Sequence, residues 1–99
     1  MSERRVVITG MGMVSPLGND LKTSWRNIVA GKSGAGPVTL MDASAYPSRI
    51  AAEVKNFDPE AYVEKKEVKR YDRFSLFALA AAREAWGDAG LEGHSYAPP

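Results

Sequence analysis

The sequence of 99 residues contains no cysteine and a single histidine, His94. The lack of cysteine excludes disulfide scaffolds, thiolate metal sites and thiol nucleophiles within these residues, and one histidine excludes a histidine cluster. The charges nearly cancel, because 13 Lys and Arg face 12 Asp and Glu. No overall field therefore favours nucleic acid or a membrane surface as a partner, and any charged partner has to be inferred from a local patch.

Long apolar runs are absent as well. No stretch approaches the roughly 20 consecutive apolar residues that a membrane-spanning helix needs. The opening residues MSERRVV show neither the apolar core of a secretory signal nor an Arg-rich transit segment. With 44% hydrophobic residues, a chain of this length predicts at most one small globular domain. We therefore expect a cytoplasmic protein with no membrane partner.

The stretch VVITGMGMVSPLGND combines a strand-like run with a glycine-rich turn. Val6–Thr9 are consecutive β-branched residues, which predicts a strand buried on both faces of a parallel sheet. Apolar positions with helical spacing follow from Leu21 onward, with Asn19 or Asp20 available as N-cap and Gly31 as a stop signal. A strand, a loop and a helix in this order predict an α/β protein.

The glycine turn departs from each of the site motifs that it resembles. A dinucleotide fingerprint needs a third glycine where Ser15 stands and an acidic residue about 20 positions on, whereas Asp42 comes later and in a loop-like stretch. Ser15 lacks the flanking glycines of a nucleophile elbow, and the phosphate-loop-like Gly31–Ser33 follows a helix instead of a strand. A structural turn is favoured, in which Ser15 bonds to the backbone and Gly18 supplies an unusual dihedral angle. A nucleotide-binding domain stays as the weaker alternative.

The second half of the sequence predicts a short strand and a long helix. The stretch GKSGAGPVT is typical of a loop and SRIAAEVKNF of a short strand. Asp58 and Pro59 form a helix start signal. An apolar stripe with steps of three and four residues then predicts a buried helix that ends between Gly87 and Gly90. The positions of this stripe are Phe74, Phe77, Ala78, Ala81, Ala82, Ala85, Trp86 and Ala89.

Four blocks in order resemble the opening of a β-ketoacyl-acyl-carrier-protein synthase, in the synthase II branch of the condensing enzymes. The resemblance extends from Arg4 to about Leu91. It implies the N-terminal portion of a thiolase-like fold with layered αβαβα architecture, usually a homodimer, and residues 1–99 would then be the N-terminal part of one synthase domain. The blocks are RRVVITGMGMVSPLGND, SWRNIVAGKSG, FDPEAY and KRYDRFSLFALAAAREAWGDAGL.

The resemblance implies a decarboxylative condensation of acyl groups with malonyl-carrier protein in fatty acid elongation. The family performs it with a cysteine that takes the acyl group as a thioester and two histidines, which belong to later segments of such enzymes. His94 matches none of their motifs. We therefore expect no catalytic residue, metal or cofactor in these residues, and no condensation by them alone. Phe74, Phe77 and Trp86 could line an acyl tunnel, but a packed core stripe is the simpler interpretation.

One functional surface is implied within the sequence. Lys66, Lys69, Arg70 and Arg73 would share one face of a continuous helix, with Glu60, Glu64 and Glu67 on another. The family docks its acidic acyl carrier protein on a basic patch at this point. Lys66, Lys69 and Arg70 align with that patch, whereas Arg73 has no counterpart in it.

Without the resemblance, the same charges are typical of a solvated helix face. A second hypothesis is therefore a non-catalytic module that binds the carrier protein or assembles with another chain. The sequence also predicts about two strands, fewer than a stable sheet usually has. We accordingly expect the isolated 99 residues to be unstable or to associate.

Overall fold

The computed structural model describes residues 3–93. Within that range the chain folds into helices joined by long loops, with a small antiparallel ribbon between the first helix and the others. The helices are α1 (Leu21–Val29), a 3₁₀ turn (Pro59–Ala61), α2 (Lys65–Val68) and α3 (Arg73–Asp88), and the strands are β1 (Gly36–Pro37) and β2 (Ile50–Ala51). Among these described helices, none is long and apolar enough to cross a bilayer.

Helix α1 begins and ends at the signals that the sequence contains. Asp20 is its N-cap, and one carboxylate oxygen accepts a hydrogen bond from the backbone N–H of Thr23 at 2.7 Å while the other accepts one from the Thr23 hydroxyl at 3.0 Å. These two bonds hold the pKa of Asp20 below its ordinary value. Gly31 follows the helix with φ of 73°, a left-handed conformation that glycine adopts without strain. The predicted cap and stop are confirmed.

The ribbon is shorter than the sequence suggests. β1 pairs with β2 through Gly36 opposite Ala51 and Pro37 opposite Ile50. The short strand predicted within SRIAAEVKNF is thus confirmed for two residues, and its partner lies inside the stretch predicted to be a loop. Proline is tolerated here because an edge strand does not need every backbone donor.

Lys55 ties this ribbon to the N-terminal turn. Its ammonium group donates hydrogen bonds to the carbonyl oxygens of Pro16 at 3.3 Å, Gly34 at 3.0 Å and Glu53 at 3.0 Å. The side-chain amide of Asn19 adds bonds to the carbonyls of Lys55 at 2.9 Å and of the next residue at 3.1 Å. Three loops that carry little regular structure are fixed to each other by these polar contacts.

The N-terminal segment lies against α3, and its two glycines make that approach possible. A Cβ atom on Gly10 would clash with the carbonyl oxygen of Ala85, and one on Gly12 would clash with the carbonyl oxygen of Ala81. The alanine-rich face of α3 therefore admits backbone in direct contact, as the composition of that helix predicts. These glycines serve helix packing, and the nucleotide-binding alternative draws no support from them.

The prediction of a strand at Val6–Thr9 is wrong for the described residues. The segment forms no strand pairing within residues 3–93, and Val6 is 93% and Ile8 81% exposed. β-Branched residues favour extended backbone, but a strand needs a neighbour that takes up its backbone hydrogen bonds. The described chain supplies no such neighbour at this position, so the predicted burial on two faces is wrong for these residues.

The turn at Ser15 confirms one expectation and corrects another. The Ser15 hydroxyl accepts a hydrogen bond from the backbone N–H of Leu17 at 3.1 Å, and it contacts the hydroxyl of the fully buried Ser24 at 2.7 Å. Ser15 and Gly18 exchange two backbone hydrogen bonds, which close the turn. Gly18 has no positive φ, so the expected unusual dihedral is wrong. A Cβ there would come within 2.7 Å of the Thr23 side chain, and glycine is required by that close contact.

Helix α3 ends at Asp88, inside the predicted range, but it is much less buried than its stripe suggests. Within residues 3–93 the buried apolar residues are Leu76 and Ala80. Phe74 is 71% exposed and Trp86 is 46% exposed, so the core stripe predicted through both aromatic residues is wrong in this chain. The apolar face is present, but the described residues offer too little surface to cover it.

Candidate binding surface

Lys66, Lys69 and Arg70 lie on a largely exposed segment between the 3₁₀ turn and α3, the basic segment, which we define as Glu64–Tyr71. It contains four basic and two acidic residues. The 3₁₀ turn that precedes the basic segment begins after Asp58. The Asp58 carboxylate caps this turn by accepting a hydrogen bond from the backbone N–H of Glu60 at 3.0 Å. The confirmed Asp-Pro start signal is thus a short turn, after which α2 forms the first half of the basic segment.

The prediction that one continuous helix aligns Lys66, Lys69, Arg70 and Arg73 is wrong. α2 ends at Val68 and α3 begins at Arg73, so Lys69 and Arg70 lie in the connection between the two helices. Asp72 interrupts the helix with an extended backbone at φ −70° and ψ 157°. Aspartate is a common N-cap residue, and its presence before the apolar stripe is the sequence signal that could have placed this break.

The expected separation of cations from carboxylates is also wrong. Lys66 pairs with Glu64 at 3.3 Å between its ammonium nitrogen and a carboxylate oxygen, and Arg70 pairs with Glu67 at 3.6 Å. The cationic side chains of both pairs are about three-quarters exposed, at 76% and 75%. Exposed pairs of this kind contribute little free energy, because water screens them well. The Glu64 side chain is 73% exposed as well, so an incoming carboxylate could replace it at small cost, whereas the Glu67 side chain is 29% exposed.

Lys69 and Arg73 differ from these paired residues in opposite ways. Lys69 is exposed and forms no ion pair with any part of the described chain, so its charge is fully available to a partner. Arg73 points back to the body of the protein, where one guanidinium nitrogen donates to the carbonyl oxygen of Val54 at 3.1 Å. Its guanidinium carbon also lies 4.9 Å from the centre of the Phe77 ring. Lys66, Lys69 and Arg70 thus lie on the basic segment, whereas Arg73 follows it and contacts Val54 and Phe77.

A separate cavity of about 590 Å³ lies between α1 and α3 and is lined mainly by apolar atoms of Met11, Leu21 and Trp25. Its two carboxylates are already engaged. Glu84 accepts hydrogen bonds from the backbone N–H groups of Met13 at 2.9 Å and Leu21 at 3.0 Å, and Asp88 accepts one from Met11 at 3.0 Å. Carboxylates that hold backbone donors in this way are structural, and they make this cavity a poor candidate for acid–base chemistry.

Comparison with known proteins identifies the family of this chain. Residues 3–98 match the family described as "Beta-ketoacyl synthase, N-terminal domain". The chain belongs to the beta-ketoacyl synthase family. The synthase II branch suggested by the sequence blocks is confirmed by relatives with the printed name "3-oxoacyl-[acyl-carrier-protein] synthase 2".

Two of these relatives and one solved structure show how much of a beta-ketoacyl synthase is present. The chain is 52% identical to the protein of Coxiella burnetii (strain RSA 493 / Nine Mile phase I) over 93% of its own length and 22% of that protein. It is 49% identical to the Staphylococcus aureus (strain COL) protein over 90% of its length and 22% of the relative. The solved structure, "The ishigamide ketosynthase/chain length factor", superposes with a TM-score of 0.80 at 36% identity over 90% of this chain and 22% of that one.

The likeness to a ketosynthase structure is consistent with the α/β class that the sequence predicts. The described residues form a mixed assembly of helices and short strands, consistent with the α/β class, and they correspond to 22% of a ketosynthase chain. Two residues with structural roles could not be found from the sequence. Glu84 and Asp88 hold backbone donors at distant positions in the chain, and no local motif indicates such a role.

Proposed function

We propose that this chain is the N-terminal part of a beta-ketoacyl synthase domain that acts as a 3-oxoacyl-acyl-carrier-protein synthase. The observation that carries the proposal is the match of residues 3–98 to the family, joined to identity near 50% with synthase 2 proteins. The reaction is the decarboxylative condensation of an acyl group with malonyl-carrier protein in fatty acid elongation. The likeness of fold further supports placement in a layered αβαβα architecture, with a homodimer as the working form in the cytoplasm.

The chemical step lies outside this sequence in our proposal. The condensation needs a thiolate that takes the acyl group, and these 99 residues contain no cysteine. The single histidine, His94, matches no catalytic motif and lies outside the described residues. The segment contributes scaffold instead, through the packing of Gly10 and Gly12 on α3.

The second contribution that we propose is a docking surface for acyl carrier protein, formed by Lys66, Lys69 and Arg70. All three are exposed, and the ion pair between Lys66 and Glu64 is exposed on both sides, so a partner can displace it. Clustered cations accelerate encounter with an acidic protein, and this acceleration weakens as salt screens the charges. Lys69 carries the most accessible charge of the three, because it has no ion pair within residues 3–93.

The docking proposal predicts a loss of carrier-protein binding on charge reversal. In the full-length polypeptide, Lys69→Glu combined with Arg70→Glu should weaken binding by about tenfold or more at low salt, since like charges then face each other. The measurement is the dissociation constant for acyl carrier protein at several salt concentrations. Wild-type affinity should fall as salt rises, and the affinity of the variant should depend much less on salt.

A matched control uses Arg26→Glu combined with Lys32→Glu. These residues are also exposed, belong to the end of α1 and the turn after it, and change the net charge by the same amount. The control should bind within about twofold of wild type, because screening confines the effect of a surface charge to about 10 Å. Equal weakening in both double variants, or wild-type affinity in the Lys69 and Arg70 variant, would exclude the basic segment as the docking surface.

An assembly module without carrier binding is the second candidate, and the exposed apolar residues favour it. Val6, Ile8 and Phe74 are each more than two-thirds exposed, at 93%, 81% and 71%. Apolar surface of this kind is commonly covered by other protein. If the Lys69 and Arg70 variant binds carrier protein normally while the native assembly remains intact, this second candidate is the better description of the segment.

A further inference from the structure

The basic segment is attached at its base by a row of aromatic contacts that the proposed function leaves unexplained. Tyr62 comes just before the segment, and its ring stacks on that of Phe57 with centroids 5.5 Å apart and planes 7° from parallel. Phe57 in turn meets Phe77 of α3 edge to face, with centroids 4.9 Å apart. Arg73, just after the segment, places its guanidinium carbon 4.9 Å from the centre of the Phe77 ring. The chain therefore leaves and returns at the same aromatic cluster.

The contacts of the segment itself are local. Its ion pairs join Lys66 to Glu64 and Arg70 to Glu67. Its backbone bonds outside α2 run from Glu67 to Glu64, from Arg70 to Glu67 and from Tyr71 to Val68. Within residues 3–93, no hydrogen bond or ion pair joins Glu64–Tyr71 to the rest of the protein. Polar contacts thus do not fix the segment to the body, so the way in which its two ends are held contributes to its orientation.

Arg73 holds its end in two ways at once. Its hydrogen bond of 3.1 Å to the carbonyl oxygen of Val54 reaches the stretch that follows β2, while its planar group lies over Phe77. A guanidinium can stack and donate at the same time, which the compact ammonium of lysine does less well. This arrangement gives a positioning role to Arg73, which has no counterpart in the docking pattern that the resemblance implies.

We propose that Phe57, Tyr62, Phe77 and Arg73 form an aromatic clamp that closes the base of the basic segment and presents its cations to an acidic carrier protein. These four are positioning residues, because they act through Lys66, Lys69 and Arg70. Their role in binding rests on the proposed function, whereas their effect on the order of the segment does not. A segment that is already ordered loses less conformational entropy when a partner binds, so the clamp raises affinity without touching the partner.

A pair of substitutions at Tyr62 tests the clamp without changing any charge. Tyr62→Leu removes the stacked ring, and Tyr62→Phe keeps it. In the full-length polypeptide, Tyr62→Leu should accelerate amide hydrogen exchange of residues 65–71 by about fivefold or more, while amides around Leu76 and Ala80 in α3 keep their rates. Tyr62→Phe should exchange like wild type. The substitution Arg73→Lys loosens the other end at constant charge and should accelerate exchange in the same residues.

Binding of acyl carrier protein supplies the readout that a purely structural role would leave unchanged. Tyr62→Leu should raise the dissociation constant by about three- to tenfold with the salt dependence of wild type, because the same cations meet the partner from a less ordered segment. Tyr62→Phe, which keeps the stacked ring, should bind acyl carrier protein with wild-type affinity.

Two results overturn the clamp. One is exchange in residues 65–71 that does not respond to Tyr62→Leu or Arg73→Lys. The other is faster exchange with unchanged affinity, in a protein whose Lys69→Glu and Arg70→Glu variant does lose binding. If that charge-reversed variant still binds normally, the carrier-docking proposal fails by itself, and the exchange rates alone then decide whether the clamp orders the segment.

Discussion

Gly10 and Gly12 illustrate how a single missing Cβ can determine packing at the residue scale. Their backbone lies against the carbonyl oxygens of Ala85 and Ala81 on α3, where any side chain would overlap with atoms of the helix. The same glycines look like part of a nucleotide-binding fingerprint in the sequence, because that motif also uses glycine for close approach. Spacing alone does not say what approaches, and here it is a helix.

Gly12→Ala should therefore destabilise the protein strongly. The added methyl group would clash with the carbonyl oxygen of Ala81, and overpacking of this kind typically costs about 1–3 kcal/mol. Gly36→Ala is the matched control, because no described atom beyond Gly36 and its two chain neighbours lies within 4 Å of the position that its added methyl group would take. Denaturant unfolding of the full-length protein checks the pair. Equal free energies of unfolding for both variants would show that the segment does not pack on α3 in this way.

Asp20 and Asp72 are the N-cap residues of α1 and α3, and only the side chain of Asp20 forms a hydrogen bond to its helix. Asp20 accepts hydrogen bonds from the backbone and the hydroxyl of Thr23, which lower its pKa. Asp72 precedes α3 without a side-chain bond to the helix. A carboxyl group with a lowered folded-state pKa stabilises the protein above the pKa of the unfolded chain. That contribution disappears as pH falls through the folded-state value.

Asp20→Ala should cost about 1 kcal/mol of unfolding free energy near neutral pH, and the cost should shrink as pH falls below about 4, where aspartate in the unfolded chain takes up its proton. Asp72→Ala should cost less, because the Asp72 side chain makes no hydrogen bond to the helix that it precedes. Chemical unfolding of both variants at several pH values measures the difference. A cost for Asp20→Ala that stays constant from neutral to acidic pH would contradict the bonding seen at α1.

At the scale of elements, α3 organises the described chain through two carboxylates one helical turn apart. Glu84 accepts from the backbone of Met13 at 2.9 Å and of Leu21 at 3.0 Å, and Asp88 accepts from Met11 at 3.0 Å. Leu21 is the first residue of α1, and its N–H has no partner inside that helix. Glu84 thus joins the N-terminal segment, α1 and α3 at one point.

Glu84→Ala should destabilise the protein by about 1–3 kcal/mol, because it leaves part-buried backbone donors without an acceptor. Glu60→Ala serves as control, since Glu60 is exposed and forms no side-chain hydrogen bond or ion pair within the described range. The midpoint of thermal unfolding of each full-length variant is the measurement. Similar midpoints for both substitutions would assign Glu84 a surface role only.

The elements that could be predicted from the sequence are those with local signals. α1 has its cap and its glycine stop, and α3 ends where Gly87–Gly90 indicate. The break between α2 and α3 was missed because a run of charged residues with good helix propensity hides Asp72. The prediction of a buried strand at Val6–Thr9 failed, because a strand needs a neighbouring strand that a local pattern does not specify and that the described residues do not supply there.

The candidate site could be predicted only in part, because some of its features have local signals in the sequence and others depend on contacts between distant residues. The exposure of Lys66, Lys69 and Arg70 follows from their residue types, whereas their docking role comes from the family resemblance and stays a prediction. The role of Arg73 is not, because its contacts with Val54 and Phe77 join positions distant in the chain. Long-range contacts of this kind are specified by tertiary packing, and no local pattern records them.

At the scale of the whole molecule, the described chain is extended for its length. Its radius of gyration is 17.5 Å, whereas a compact domain of about 100 residues has roughly 13 Å. Its buried apolar residues, within residues 3–93, are Leu76 and Ala80. Small chains need a larger share of buried surface than this to stay folded. Instability or association of the isolated 99 residues thus stays our prediction.

The central claim is that these residues work as the N-terminal part of a longer beta-ketoacyl synthase. The intact mass of the native polypeptide tests it most directly, because these residues correspond to 22% of the relatives that they match. The account predicts a mass several times the 10.7 kDa of this sequence, with a cysteine in the additional part. A native polypeptide of 10.7 kDa would contradict it, and binding or assembly with another chain would then be the function to pursue.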